Sequence, residues 1–519
     1  MASLSLDKVS IVYWHPDLER HRCGYCNNQN CSVLYGMWAE QLTVEDYQNL
    51  IDRGWRRSGK YCYKPVMHET CCPQYTIRCE ALKFHPSKSQ KKVIKRFNKF
   101  ITDDSKQEKG DNISDNSSNT ENSGENSSIG FISRQQPTNE LDFSKFKDNT
   151  VQSADDCNID ESSDNRLDKA KVHINETKCD SEVAEEHKEV DSNIANTTAT
   201  TTEVVKKGVG ADPSRPPCKK AKLLRIERKQ QKLIQKGLKI GQKETAKNEQ
   251  KKLEDFIDQI PENAKHKLKI VLVSTSSPGE DWNESVNLEF QIYKKYQMAV
   301  HNDPPEKCKM EVFLRFLVNT PLKTVRSRGE NGTVMLGSFH QQYWIDDKLI
   351  AVGVIDILPK CVSSVYFFYD PEYRFLTLGT YGSLREIYFV RSLHQILPSI
   401  EYYYMGYYIH SCPKMRYKGR LGNSLLLCPE TYKWFPIENC IPKLDANKYS
   451  RLNDDIDAID EEMCSSSDID RIKILIGYTF TIFGRYKRTF GEVDVYENIG
   501  RLVGKKCADK LLFVSSKER

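Results

Sequence analysis

Four thiols stand out for what they could do together: Cys23 and Cys26 in "HRCGYCNNQNC", and the adjacent Cys71 and Cys72 in "HETCCPQY". Seven of the 17 cysteines lie in the first 79 residues, so the N-terminal enrichment is strong. A C-x-x-C turn lets two thiolates converge on one metal, with Gly24 expected to relieve the backbone at the bend. Thiolates suit zinc and iron-sulfur clusters alike, and the residue types leave both open. Neighbouring cysteines normally point apart, so the second pair needs an unusual backbone. Cys31, Cys62 and Cys79 read as packed thiols, the common role of a lone Cys. Nearby, "GWRRSGKYCYKP" interleaves Arg56, Arg57, Lys60 and Lys64 with Trp55, Tyr61 and Tyr63. That reads either as a nucleic-acid surface or as a short hairpin with solvated charges.

These residues belong to a chain of 519 residues, long enough for two or three domains. Hydrophobic residues make up 38%, a low share for a globular protein. From 101 to 214 there is neither Tyr nor Trp, although the chain has 26 Tyr and 6 Trp, so this stretch is expected to be a disordered linker. A Cys-rich N-terminal domain (1–100) is expected before it. After it, Lys219 to Asp255 holds thirteen basic and five acidic residues, a net +8, with apolar residues at helical spacing. This basic helix, 215–260, suits phosphate contact or nuclear import. The start of the chain lacks the basic and apolar blocks of a signal peptide, and no run of eighteen apolar residues follows. A soluble cytoplasmic and nuclear protein with reduced thiols and no membrane partner is expected.

From residue 265 to 519 the pattern is α/β. "KIVLVSTS" reads as a strand, "NLEFQIYKKYQMAVH" as a helix, "SFHQQYWIDDKLIAVGVIDILP" as a hairpin turning at Asp346, and "SSVYFFYDP" as a third strand. In "RFLTLGTYG" a loop with Gly379 and Gly382 is expected to open a helix at about Ser383, which would cradle an anion. "EYYYMGYYIHS" is a Tyr-rich strand, half of it expected to pack inward. This order resembles the acyl-CoA N-acetyltransferase superfamily. Its Q/R-x-x-G-x-G/A loop is met only loosely, since Gly379 and Gly382 are spaced wrongly, and no coenzyme A is expected. The acidic stretch near 450–470 reads as an exposed insertion.

A closer resemblance is carried by "YCYKPVMHETCCPQYTIRC", "FQIYKKYQMAVHND", "LIAVGVIDILPKCVSSVYFFYDP" and "YYMGYYIHSCPKMRYKG". These blocks resemble those of eukaryotic arginyl-tRNA-protein transferases. The resemblance implies an acetyltransferase-like catalytic domain that moves arginine from Arg-tRNA to the N-terminal amine of proteins starting with Asp, Glu or oxidised Cys, a degradation signal read by the ubiquitin-ligase pathway. It also implies an iron-sulfur cluster on Cys23, Cys26, Cys71 and Cys72, with zinc the alternative.

An aminoacyl ester is already activated, so the protein needs no nucleophile of its own. It must hold both partners and help the amine lose a proton. The candidate bases are His410 and Asp356, with Glu386 and His340 behind them. An acidic acceptor needs cations: Lys414, Arg416 and Lys418 follow the Tyr-rich strand, and Arg374 and Arg385 flank the Gly loop. Any of these could instead hold tRNA phosphates. Two other functions compete, a coenzyme A dependent N-acetyltransferase with a zinc module and a nonenzymatic, redox-sensitive RNA-binding protein.

Overall fold

The computed structural model describes residues 9–105, 228, 231, 251–277, 279–491 and 494–515. The expected linker therefore lies outside the described residues beyond Ser105. So does most of the basic helix: Arg228 and Gln231 are helical and exposed, and Glu254–Ile257 forms a single turn. Among the described residues no helix is long and apolar enough to cross a membrane.

By its contacts the chain divides into Ile159–Gln250, described only at Arg228 and Gln231, and a unit made of residues 1–158 and 251–519. That unit holds two sheets. The first runs in the order β15 (Thr479–Ile482), β14 (Lys473–Ile476), β16 (Leu512–Val514), β1 (Ile11–His21), β2 (Ser32–Gln41), β4 (Tyr61–Pro65) and β3 (Arg56–Ser58). The second runs β13 (Trp434–Pro436), β12 (Ser424–Leu427), β5 (Tyr75–Glu80), β11 (Tyr402–Tyr408), β10 (Cys361–Tyr369), β9 (Lys348–Leu358), β8 (Gly332–Ile345) and β6 (Leu268–Ser274), with β7 (Val325–Gly329) paired to β8. Each sheet mixes strands from both ends of the chain. β5, from the Cys-rich segment, lies between β11 and β12, while the C-terminal β16 pairs parallel with β1.

The hairpin of β8 and β9 turns at Asp346, which takes a left-handed φ of 54°, a conformation Asp tolerates better than most residues. From Leu349 to Leu358 every residue of β9 is buried, the pattern of a strand covered on both faces. The same cause alters the reading of the Tyr-rich strand: Tyr403, Tyr404, Tyr407 and Tyr408 are all buried, because β11 is central and both of its faces are packed. Helix α1 (Val44–Ile51) is capped by Thr43, and α2 (Lys88–Asp103) opens on a Ser87–Gln90 capping box. Helix α3 (Glu280–Tyr296) precedes the hairpin, and α4 (Leu378–His394) connects β10 to β11. Leu378, Tyr381, Leu384, Ile387, Val390 and Leu393 form a buried stripe of α4 at spacings of three.

The "GWRRSGKYCYKP" segment is a hairpin, β3–β4, but its charges are not solvated. Arg56, Arg57 and Lys64 are buried, as are Trp55 and Tyr61, so it is no open nucleic-acid surface. Arg57 ties the two sheets together: its Nε and Nη2 donate to the Asp356 carboxylate at 2.9 and 2.6 Å, and Nη2 also donates to Ser338 Oγ at 3.0 Å. Both side chains are at most 1% exposed.

Breaking one partner of such a pair leaves a buried unpaired charge. Arg57→Met is expected to cost about 3–5 kcal/mol, whereas joining it to Asp356→Leu restores most of the loss. Denaturant unfolding of the two variants checks this, and a single-variant cost well under 1 kcal/mol would contradict it.

Candidate active site and metal centre

β10 and β11 run parallel, yet they pair only through Cys361–Tyr402, Val362–Tyr403 and Ser363–Tyr404. Beyond that point β10 bulges against β9 between Ser364 and Tyr366, and β11 bulges against β5 between Tyr404 and Tyr407. Each bulge turns its strand out of register, and the two strands part. The result is a split in the middle of the sheet, with Gly406 at the bulge in a left-handed conformation, φ 69°.

Glu386 of α4 reaches the joint of this split. Its Oε2 accepts a hydrogen bond from the Tyr403 hydroxyl at 2.6 Å. Gly353 on β9 makes room, since a Cβ there would stand 2.9 Å from Glu386 Oε1. Burial raises the Glu386 carboxyl to about 7, although hydrogen bonds from Tyr403 and Ser364 oppose the rise.

Of the other sequence candidates, Lys418 is brought to the split. Its Nζ donates to the Tyr407 carbonyl at 3.0 Å, and burial together with the Arg56 charge lowers its ammonium to about 7. His410 lies two residues past β11, its Nδ1 2.8 Å from the Tyr408 hydroxyl and its Nε2 2.7 Å from Asp445 Oδ1. Arg416 donates from Nε to the His410 carbonyl and is exposed, as are Lys414 and Arg374. Arg385 stacks over the Tyr388 ring, 5.4 Å from its centroid.

Two candidate bases lie elsewhere. Asp356 is 0% exposed and engaged by Arg57 and Ser338, so no face of it is open to a substrate. His340 is equally buried, bonded to Glu289 at 2.5 Å and to the Leu317 carbonyl at 3.1 Å. The expected Gly loop is also different: Gly379 and Gly382 lie inside α4, which begins at Leu378 rather than near Ser383. Gly382 is there for packing, since a Cβ would stand 2.4 Å from the Phe367 ring.

The thiols do converge. Cys23, Cys26, Cys71 and Cys72 bring their sulfurs within 4.8 Å of one another. The turn that aims Cys23 and Cys26 closes with Cys23 N donating to Asn28 O and Asn27 N to Cys23 O, both at 2.9 Å. Its left-handed residues are Asn27 and Asn30 rather than Gly24. The vicinal pair is aimed by Cys71 N donating to Cys31 O at 2.9 Å. Cys23 is drawn down to about 4, first by the Cys72 thiol and then by the backbone amides of Cys26 and Tyr25, which suits it to be a thiolate ligand. A single tetrahedral ion with bonds of about 2.3 Å sets its sulfurs roughly 3.8 Å apart, so these four thiols can hold a metal. Cys31, read from sequence as a bystander, sits against the centre with its sulfur 3.1 Å from that of Cys71.

Sequence reasoning missed what the thiols rest on. Cys23 and Cys72 pack in one buried cluster with Ile409 and Cys412, alongside Met415. The four-thiol cluster thus abuts the segment that links β11 to the short helix α5 (Pro413–Arg416) and on to Lys418. Arg57 was also missed as anything but a surface charge. The signal available was its place beside Arg56 on a strand, where one of the two must face inward.

Residues 21–92 match the family described as arginine-tRNA-protein transferase, N terminus, and residues 288–428 match its C terminus. Arginyl-tRNA-protein transferase 1 of Drosophila melanogaster is 42% identical over 514 residues, covering 98% of this chain and 99% of that protein. Arginyl-tRNA-protein transferase 2 of Arabidopsis thaliana is 38% identical over 468 residues, 83% of this chain and 76% of that protein. An aspartate/glutamate leucyltransferase of Campylobacter jejuni is 37% identical over 76 residues, 15% of this chain and 30% of that protein. The two family matches and the similarity along nearly the whole chain place it in the arginyl-tRNA-protein transferase family, as an aminoacyltransferase.

Proposed function

We propose that this chain transfers arginine from Arg-tRNA to the N-terminal amine of proteins that begin with Asp, Glu or oxidised Cys. The observation that carries the chemistry is Glu386, a buried carboxyl held at about 7 at the joint of the β10–β11 split. An N-terminal amine has a pKa of about 7.7 to 8, so a base near neutrality suffices to take its proton. The amine nitrogen attacks the ester carbonyl carbon, the amide bond forms and the ester C–O bond breaks. The proton taken from the amine is returned to the ribose oxygen that leaves. Proximity in the split supplies most of the acceleration. His410, fixed through both ring nitrogens, orients the segment after β11. Lys414, Arg416 and Arg374, exposed around the site, meet tRNA phosphates. The product's new N-terminal arginine is a mark for the ubiquitin-ligase pathway, and the basic segment around 219–255 serves nuclear as well as cytoplasmic residence.

At the thiol centre two metals compete. Family resemblance favours an iron-sulfur cluster on Cys23, Cys26, Cys71 and Cys72, which would make the site redox-sensitive. The close spacing of the four sulfurs favours zinc, because a polynuclear cluster holds its ligand sulfurs farther apart. In either case the group's contribution when bound is to lock the loops that rest on Ile409 and Cys412.

Incubation of the purified chain with charged Arg-tRNA and peptides starting with Asp, Glu or Ala tests the activity. Transfer to the acidic peptides alone is expected, and no transfer under aerobic or anaerobic conditions would refute the proposal. For the metal, an anaerobic preparation with visible iron-sulfur absorption that is lost in Cys71→Ala, Cys72→Ala identifies the cluster. A colourless protein with stoichiometric zinc, lost in the same variant, identifies zinc.

A further inference from the structure

Cys31 stands beside the four converging thiols without belonging to their set. Its sulfur is 3.1 Å from that of Cys71, closer than the sulfur of Cys26, which is 3.5 Å from the same atom. The backbone fixes this approach. Cys71 N donates to Cys31 O at 2.9 Å, and Cys31 N donates to His21 O at 3.1 Å, at the end of β1. Neighbouring segments bonded in this way hold their Cα atoms about 5.5 Å apart, within the span that a disulfide bridges. The Cys31 thiol donates to Asn28 O at 3.2 Å, the carbonyl that also accepts from Cys23 N, so the turn that aims Cys23 orients Cys31 as well.

The remaining thiols of the N-terminal segment have a different setting. Cys62 and Cys79 are 0% exposed, and burial pushes both up to about 12, so they stay protonated and unreactive at neutral pH. Cys31 and Cys71 are each half-buried, within reach of a small solute. A reachable thiol in contact with a second one is the arrangement of a redox-active cysteine and the cysteine that resolves it.

We propose that Cys31 is a modification site, oxidised by a peroxide and then resolved by Cys71 as a reversible disulfide. Hydrogen peroxide oxidises the Cys31 sulfur to a sulfenic acid: an S–O bond forms, the O–O bond breaks and one oxygen leaves as water. The Cys71 sulfur then attacks the Cys31 sulfur, the S–S bond forms, the S–O bond breaks and the second oxygen leaves as water. Two thiols lose two electrons and two protons, and the peroxide takes up both. The converging set is left with three free sulfurs, on Cys23, Cys26 and Cys72, one short of a closed tetrahedral site. A dithiol reverses the bridge by exchange and restores the fourth.

The test uses the full chain, purified anaerobically with its metal and treated with one equivalent of hydrogen peroxide. Non-reducing peptide mapping identifies the disulfide. Metal release is followed with a chelating dye for zinc, or as loss of visible absorption for an iron-sulfur cluster. In wild type a Cys31–Cys71 bridge is expected, with metal released as it forms and rebound after dithiothreitol and fresh metal. In Cys31→Ser and Cys31→Ala, release is expected to slow about tenfold or more, because the sulfur that meets the peroxide is gone. A bridge that joins Cys71 to Cys26 or Cys72 instead overturns the proposal, as does release at the wild-type rate in both variants. Variants that carry less metal as purified also overturn it, since Cys31 is then a ligand. If the wild-type chain carries no metal, the disulfide map alone decides. Neither readout involves arginine transfer, so the outcome is independent of that activity.

Discussion

The pairing of β5 with β11 is the constraint on which the rest of the site depends. Tyr75 lies opposite Tyr408 and Glu80 opposite Tyr402, so the residues just before β5 are carried past the far end of β11. Those residues are Cys71 and Cys72, and the chain just past β11 contains Ile409 and Cys412. One strand register thus seats the thiol centre against the segment that leads to Lys418. The bulge in the same ladder, between Tyr404 and Tyr407, is also what turns β11 away from β10 and opens the split. The convergence of the four thiols and the split in the sheet are therefore consequences of one non-local strand insertion. A loss of order at the thiols has a short mechanical path to the basic residues beyond them.

Charge is distributed around the split with a division of labour. Arg57 and Asp356 spend their charges on each other and hold β3 to β9. Among the described residues Glu386 has no cation bonded to it, and its desolvated carboxyl is shifted towards the pH at which an amine must be deprotonated. Among the described residues Arg56 and Lys418 have no carboxylate partner, and they bond to the carbonyls of Gly406 and Tyr407 at the same bulge. A buried carboxyl and buried cations without counter-ions are expensive for folding.

Much of this was legible in the sequence where the signal is local. The strand, hairpin, helix and Tyr-rich strand from Lys269 to Tyr408 follow from hydrophobic period and turn chemistry, while the set of four converging cysteines came from the C-x-x-C turn together with the family resemblance. What was not legible depends on which segments meet. "YTIRCE" reads as a strand, but nothing in it says that it enters a sheet built mostly from residues more than 260 positions away. For that reason Asp356 looked like a free acid when its partner Arg57 lies 299 residues upstream. The same blindness made Arg56 and Arg57 look solvated and made Gly379 and Gly382 look like a loop, since their helix and its packing on Phe367 are set by the sheet below.

The central claim is that transfer occurs at the β10–β11 split with Glu386 taking the amine's proton. The direct measurement is single-turnover arginine transfer to an Asp-initiated peptide across roughly pH 5 to 9, for wild type and Glu386→Gln. The base works in its ionised form, so the wild-type rate should rise as pH climbs through about 7, where the Glu386 carboxyl gives up its proton. Glu386→Gln should lose that limb and about 10²- to 10⁴-fold in rate, keeping only the rise from the amine itself near 8. A folded Glu386→Gln protein with the wild-type rate and profile would contradict the account.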